Sequence, residues 1–589
     1  MKLAFLLMTA LMLNFTTLTA QIFTKITADP VVSDERYSEG SSWADINNDG
    51  HLDVFVPHLH TEQENVLFIN NGDGSFRQVL SGPIVIDQGR SSGGSFGDFD
   101  NDGDLDLFVC NYFEIDNFLY FNNGDGTFTK VTEGSIVNDG GLSFGSSIAD
   151  YDNDGFLDIY VVNGAFTNLG ANNFLYKNNG DGTFTKIASG TLVNDGQHSS
   201  SSSWCDYDDD GDQDLFVANG AAFNVAQVDN VIYQNNGDGT FTEINPVTIG
   251  VDHSYSSNGG WGDFDNDGDF DLFVTNFLGN NNILYKNNGD GTFTKITTGI
   301  VVNDGGDSVS STWGDFDNDG DLDLYVTNDF NENNNLYENN GDGTFTKITT
   351  GDPANDGGRS NGATWADYNN DGFLDLFVPN GQRPETQSNI LYRNNGNANH
   401  WVNIKCIGTT SNSTAIGTKV KTKASINGAA TWQLRQVSGA TGFNAQNSLN
   451  IEFGLGNATI IDSLVFEWPS GLRDVYIDVE INKFHEAIEG VGLNPVITSL
   501  QNDPLTPQAF ALLPNYPNPF NPSTTIQYRL PVGSDVEIKV YNLSGQNVRT
   551  LINDFQTAGA WSVVWNGRND TGQIVSSGIY FYHMKAGDF

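Results

Sequence analysis

Basic side chains are scarce in this sequence: 26 Lys and Arg stand against 74 Asp and Glu in 589 residues, a formal net charge of −48. That balance argues against nucleic acid as a partner, because its binding rests on cations neutralising phosphates. It argues equally against anionic membrane surfaces. Charge of either sign is also limited, at 17% of residues against about 25% in typical soluble domains. The chain is therefore no generic polyelectrolyte, and its acids are placed somewhere in particular. Cysteine is nearly absent, with only Cys110, Cys205 and Cys406; an odd count in unrelated contexts forms no disulfide framework. No stretch of 18 apolar residues follows the N-terminus, so no transmembrane segment is expected. P-loop, H-E-x-x-H and C-x-x-C patterns are missing as well. What is present is 38% hydrophobic residues, 40 Phe and 66 Gly, a composition of packed cores joined by many turns.

Residues 1–20, MKLAFLLMTALMLNFTTLTA, combine Lys2 with the apolar run Leu3 to Leu13 and end at Ala20. The run is too short to span a bilayer and reads as a secretory signal peptide. The mature chain is expected to be secreted or held at the cell surface.

Self-similarity organises the next 376 residues, 21–396. A nine-residue acidic string recurs seven times, beginning at Asp45, Asp98, Asp150, Asp206, Asp263, Asp315 and Asp367. About twenty residues after each comes a second string of the LYKNNGDGTF type. Each repeat reads as four strands: a Ser-rich strand ending in a bulky and a small residue, an apolar run such as Leu105 to Val109, an N-x-L-Y strand, and an FTKIT strand after an Asn-Gly/Asp-Gly turn. Seven such units fit a β-propeller, with an open solenoid as the alternative. The seventh repeat lacks its FTKIT strand, and FTKIT stands alone at Phe23 to Thr27. An N-terminal strand that completes the last blade would close the ring and remove its exposed sheet edges.

Positions 1, 3, 5 and 9 of each acidic string are Asp or Asn, and position 6 is always Gly. Hard oxygen ligands at alternating positions of a tight turn suit Ca²⁺. Position 7 varies, as expected where only a backbone carbonyl binds, and position 12 is apolar where an EF-hand needs Glu. His and Cys are no regular part of the string, which argues against zinc. The alternative is a set of Asp/Asn/Gly turns without metal. The candidate ligands are Asp45, Asn47, Asp49, His51 and Asp53 in loop 1; Asp98, Asp100, Asp102, Asp104 and Asp106 in loop 2; Asp150, Asp152, Asp154, Phe156 and Asp158 in loop 3; and Asp206, Asp208, Asp210, Asp212 and Asp214 in loop 4. Loop 5 offers Asp263, Asp265, Asp267, Asp269 and Asp271, loop 6 Asp315, Asp317, Asp319, Asp321 and Asp323, and loop 7 Asp367, Asn369, Asp371, Phe373 and Asp375. About seven calcium ions are expected, one per blade, with weaker sites in loops 1 and 7, where Asn replaces Asp at position 3.

The segment GGSFGDFDNDGDLDLFVCN resembles an FG-GAP repeat (also called VCBS-like), the calcium-loop blade of integrin α-subunit propellers. The resemblance implies a calcium-bound propeller and assigns the ligand role to the loop positions above. Residues 397–490 carry AIG (Ala415 to Gly417), FGLG (Phe453 to Gly456) and WPSG (Trp468 to Gly471) and resemble the β-rich ASPIC/UnbV domain. Residues 491–513, with Pro495, Pro504 and Pro507, read as a linker. Residues 514–589, with NYPNPFNPSTTIQYRLP and VEIKVYNLSGQNVRTL, are similar to the small Ig-like type IX secretion sorting domain and to the Ig-like domain of the flagellar hook-cap protein. They make a type IX export route an expectation. The fold class is all-β: a seven-bladed calcium-loop propeller, a β-rich domain and a small Ig-like sandwich.

No catalytic constellation emerges. GRSSG at Gly89 to Gly93 matches a nucleophile-elbow pattern but lacks the strand-to-helix setting. His58 and His60 form an H-x-H that is either a metal pair or an ordinary loop pair. Loops after the second strand of each repeat vary in length and carry Tyr112, Phe113, Phe166, Phe223, Phe277 and Phe330, which either form a ligand surface or pack beneath their own loops. The expected function is non-enzymatic, calcium-dependent binding to a glycan or an extracellular or surface protein. A polysaccharide lyase or hydrolase and a structural surface component are the alternatives.

Overall fold

The computed structural model describes residues 21–60, 63–165, 170–220, 228–244, 254–381, 386–496, 510–512, 524–556 and 559–587, apart from 572, 574 and 577. The expected signal peptide and the aromatics Phe166 and Phe223 lie outside the described residues. The chain forms two compact units, residues 1–496 and 497–589.

The repeats of the first unit form seven sheets, one per repeat, in a propeller-like arrangement; six are antiparallel and four-stranded, and the first repeat's gains a fifth, parallel strand. In the second repeat the strands are Ser91–Gly97, Asp106–Asn111, Phe118–Asn122 and Phe128–Lys130. The last sheet is completed by the N-terminus: Phe23–Lys25 pairs with Ile390–Asn394, Phe23 opposite Asn394. The isolated FTKIT strand therefore does what its sequence position implied.

The Ser-rich strands are buried almost throughout, because they line the axis and join each sheet to the next. Ser42 Oγ donates to the Gly94 carbonyl at 2.7 Å, Ser147 meets Ser202 at 2.8 Å and Ser203 donates to Gly259 at 2.9 Å. Ser41 and the Trp43 indole reach Thr364 at 2.8 and 2.9 Å, which joins the first sheet to the last. Small hydroxyls suit this role, since they bond across a narrow gap that larger side chains would wedge open. Outside the axis, the Trp near the end of the Ser-rich strand stacks on the position-2 aromatic of the preceding loop in four repeats: Trp43 on Tyr368, Trp204 on Tyr151, Trp261 on Tyr207 and Trp365 on Phe316. The closure repeats an outer ionic arrangement too. Asp87 binds Tyr120 and Lys130, Asp139 binds Tyr176 and Lys186, and at the seam Asp356 binds Tyr392 and Lys25.

The β-rich domain packs two four-stranded sheets. One orders Ile451–Gly456, His400–Ile407, Lys483–Ile488 and Gly492–Val496; the other orders Ala429–Gln436, Lys419–Ile426, Ile461–Glu467 and Arg473–Val479. The expected linker at 491–513 begins too early, because Gly492–Val496 is a hydrogen-bonded edge strand on Lys483–Ile488. Pro495 is tolerated there, where an edge residue need not donate. Apolar residues of this domain, Val402, Ile404 and Phe453 among them, share one buried cluster with Phe99, Phe108 and Ile159 of the second and third repeats. Domain and ring therefore form one core.

A loop of the domain enters the axis of the ring. Ala445–Gln446 pairs in parallel with Ser41–Ser42, and the Gln446 amide exchanges two hydrogen bonds with the Phe96 backbone, at 2.7 and 2.9 Å. Asn444 presses so closely on Gly40 that a Cβ there would lie 1.9 Å from its carbonyl oxygen. Phe443 is buried among Tyr112, Phe144, Ala165, Phe277 and Val309.

The second unit has two three-stranded sheets: Ala511–Leu512, Thr524–Leu530 and Gly559–Trp565, and Asn547–Gln556, Ser534–Asn542 and Tyr580–Ala586.

Candidate metal centres and the loop faces

All seven acidic loops share one backbone design. Position 4 is left-handed, with φ between 55° and 60° from Asn48 to Asn370, a conformation Asn and Asp tolerate through short polar side chains. The turn aims two successive N–H groups at the first carboxylate. In loop 2, Asp98 Oδ1 accepts from Asp102 at 3.0 Å and Oδ2 from Gly103 at 2.8 Å. The same pair of bonds occurs in loop 1 on Asp45 and in loop 7 on Asp367. Position 9 begins the next strand and accepts from position 2 and from the first Asn of the NNGDG string: Asp106 takes Phe99 N and Asn122 N, both at 2.8 Å.

This geometry brings carboxylates together. Asp98, Asp100 and Asp106 each offer an oxygen within 4.8 Å of the others, as do Asp150, Asp152 and Asp158; Asp263, Asp265 and Asp271; and Asp315, Asp317 and Asp323. Loop 4 assembles Asp206, Asp208 and Asp210 instead. Loops 1 and 7, with Asn47 and Asn369 at position 3, form no such three-acid group among the described residues. Their position-3 amide oxygens accept the backbone N–H of Asp49 and Asp371 at 3.0 Å.

The clusters are electrostatically unbalanced as protein alone. Burial, reinforced by neighbouring acids, raises the carboxyls of Asp106, Asp214 and Asp271 to about 9 and that of Asp53 to about 8. Burial likewise lifts Asp98 to about 6 and Asp150 and Asp263 to about 7. Asp315 and Asp323, facing one another, both lie well above the normal carboxylate range. Three position-3 oxygens, Asp152 Oδ1, Asp208 Oδ1 and Asp265 Oδ1, are buried and accept no hydrogen bond. An unpaired buried carboxylate oxygen beside further carboxylates calls for a cation. The donor set is oxygen only, which fits a hard divalent ion.

The position-7 side chains His51, Asp104, Phe156, Asp212, Asp269, Asp321 and Phe373 lie against the outer turn of their own blades. The Phe156 ring lies against Gly180, and Asp104 against Gly124. Their side chains are absent from the carboxylate clusters; the expectation that position 7 would contribute a carbonyl is compatible with this.

Two Asn series carry more than sequence reasoning assigned them. The first Asn of each NNGDG string reads, from sequence, as turn chemistry. Its side-chain oxygen serves that turn, Asn122 Oδ1 accepting from Gly124 N at 3.0 Å, while its amide N–H also crosses to the preceding blade: Asn122 to Ile46 O, Asn178 to Phe99 O, Asn70 to Tyr368 O and Asn394 to Phe316 O, at 2.7–2.8 Å. Position-4 Asn bridges forward to the next loop. The signal was their recurrence, sevenfold for the first Asn and sixfold at position 4, where loop 4 has Asp209; turn chemistry alone does not require this of both Asn residues.

The domain covers this loop face. Lys419 Nζ lies 2.7 Å from Asp206 Oδ2 and also binds Asp209. Ser413 donates to Asp98 Oδ2. The Arg435 charge acts on Asp263 and Asp315, and Gly454 comes so close to Asp315 that any side chain there would collide with it.

The opposite face carries the variable loops. Here the expected aromatic surface divides. Tyr112 and Phe277 are only 3% and 5% exposed, because Phe443 enters the axis beneath them, so they are floor and not surface. Phe113 and Phe330 are 51% and 45% exposed. Both, with Leu278, hold left-handed backbone at φ 62°, 53° and 57°, a costly conformation for bulky residues. Arg90 lies over the Phe113 ring at 4.3 Å and Arg359 over Phe330 at 5.3 Å.

The remaining sequence candidates have ordinary partners. Ser91 begins a strand and bonds Asn111 and Asn65. His58 is buried against Asp34 and the Glu64 carbonyl, while His60 stacks on Tyr37, so the two imidazoles do not form a shared site. The three cysteines are buried and free.

Comparison with known proteins follows the same divisions. The ASPIC and UnbV model matches residues 408–493 and the FlgD Ig-like domain model residues 521–588. Cartilage acidic protein 1 of Xenopus tropicalis is 28% identical over 258 residues, covering 41% of this chain and 38% of that protein; the chain thus spans well under half of that relative. Among solved structures, a Penicillium chrysogenum α-L-arabinanase (12% identity, TM-score 0.34) covers 64% of this chain and 97% of its own. The fucose-binding lectin of Aleuria aurantia (11%, TM-score 0.32) covers 54% and 96%. The FG-GAP-like repeat model matches residues 45–109, 110–161, 165–217, 206–274, 263–326 and 318–378. Since those matches fall on the acidic-loop sheets and take in more than half of the sequence, the chain belongs to the FG-GAP-like repeat family.

Proposed function

We propose that this chain is an exported, calcium-stabilised, seven-bladed propeller protein that acts by binding and performs no catalysis. The observation that carries the calcium reading is the set of buried, hydrogen-bond-free oxygens on Asp152, Asp208 and Asp265, each within a three-carboxylate group. Calcium would be held by the acids of loops 2 to 6, with loops 1 and 7 weaker for lack of a position-3 charge. Bound there, the ion supplies charge neutralisation and cross-links the two strands flanking each loop.

The ligand side of the reading rests on the opposite face. Phe113, Leu278 and Phe330 project from left-handed backbone beside Arg90 and Arg359, and neither helices nor strands require that geometry. Rigid scaffolds commonly place their binding residues on such loops. The ligand class is a glycan or an extracellular or surface protein. Glycan and surface-protein arrays probed with the full chain, in calcium and in EGTA, test it. Calcium-dependent retention on one class is the expected result, and no retention under either condition would refute the binding role.

A further inference from the structure

The loop face is stitched into a belt, and the belt has one gap. Position-4 Asn donates to the following loop at six junctions. Asn48 reaches Asp104 at 2.6 Å, Asn101 reaches Gly155 O at 2.9 Å and Asn153 reaches Asp212 at 2.8 Å. Asn266 reaches Asp321 at 2.7 Å, Asn318 reaches Gly372 O at 2.9 Å and Asn370 reaches Gly50 O at 3.0 Å. Loop 4 has Asp209 at this position. An ionised carboxylate cannot donate, and its charge acts unfavourably on Asp269 of the next loop.

Lys419 of the second domain sits at that gap. It binds Asp206, the first acid of the metal group, and Asp209, the acid that breaks the belt. The lysine is only 7% exposed. Lys177 and Lys286 also contact acids, in loops 3 and 5. They arise from the blades themselves, and about a third of each side chain is exposed, so an entering ion can displace them into water. Lys419 has no such exit, because its strand is held between Ala429–Gln436 and Ile461–Glu467.

Loop 4 holds six Asp between positions 1 and 9, more than any other loop. Ligand charge count alone would make it the tightest calcium site. An ion held by Asp206, Asp208 and Asp210 shares Asp206 with a buried ammonium, and like charges at close range oppose one another. We propose that Lys419 is a resident counter-cation of loop 4, which weakens calcium there and links the loading of that loop to the seating of the second domain. The inference rests on the calcium reading above.

Native mass spectrometry of the full chain across buffered free calcium counts ions per molecule. Asp208→Asn identifies the loading step that belongs to loop 4. Lys419→Met is expected to move that step to about tenfold lower free calcium, the equivalent of about 1.4 kcal/mol, and Lys419→Arg to leave it in place. Melting gives a second readout. Lys419→Met should melt below wild type in EGTA, where Asp206 and Asp209 lose their cation, and close to wild type in calcium, which replaces it. An equal melting deficit in both conditions, an unmoved step, or a variant that stays unfolded in calcium overturns the proposal. Wild-type protein that retains no ions overturns the calcium reading with it, whereas bound ions with unmoved steps overturn this inference alone.

Discussion

The two faces of the ring are built on opposite plans. On one, seven loops repeat the same turn, the same N–H pair on the first carboxylate and nearly the same forward Asn bridge, and a second domain lies over them. On the other, successive loops differ in length and sequence, and bulky side chains project from strained backbone. Uniformity marks the face that holds the ring together, since each loop solves the same mechanical problem. Irregularity marks the face free to acquire specificity. Phe443 joins the two, because it belongs to the domain on the loop face and ends in the aromatic floor of the other.

Removing calcium should separate the faces most sharply. At a hundredfold excess over its dissociation constant, one bound ion stabilises the fold by about 2.7 kcal/mol. Five occupied loops would together rival the whole 5–15 kcal/mol stability of an ordinary domain. EGTA is therefore expected to lower the melting temperature by many degrees, or to abolish the near-UV signal of the stacked tryptophans at ambient temperature. An unchanged melt would make the loops ordinary turns and dissolve the contrast between the faces.

Phe443→Ala tests whether the faces are coupled. The ring is fully buried against Tyr112, Phe144 and Phe277, and truncating such a side chain costs about 3–5 kcal/mol. A lower melting temperature in calcium, with Tyr112 and Phe277 more exposed to fluorescence quenchers, is the expected outcome. No loss of stability would mean that the floor of the variable face is set by the blades alone.

Much of the uniform face could be read from sequence, and little of what joins it. The repeat period, the strand order within a blade, the split seventh blade and the acidic clusters follow from local patterns that recur in register. The Asn122 and Asn178 cross-links remained hidden because the Asn-Asn-Gly string they open already has a sufficient local explanation in the turn it forms. The entry of residues 443–446 into the axis had no local signal at all. It follows from shape: Gly40 and Gly93 leave room along the axis, and only the assembled ring shows that this room is continuous. The burial of Tyr112 and Phe277 had no local signal for the same reason, since their covering comes from more than 160 residues away in sequence.

The smallest effect on stability is expected from the residues with the largest proposed effect on function. Phe113 and Phe330 are about half exposed, so truncating either removes little buried area, and surface substitutions ordinarily shift stability by no more than about 0.5 kcal/mol. Replacing them with Gly, which accepts left-handed backbone freely, also relieves strain and tends to offset the loss. The Phe113→Gly/Phe330→Gly protein should therefore melt within a few degrees of wild type in calcium, keep its full count of bound ions, and lose retention on whichever array class the parent recognises. A strongly destabilised variant would instead mean that the two rings brace their own loops against Arg90 and Arg359. The variable face would then be another structural surface, distinguished from the loop face by its sequence alone.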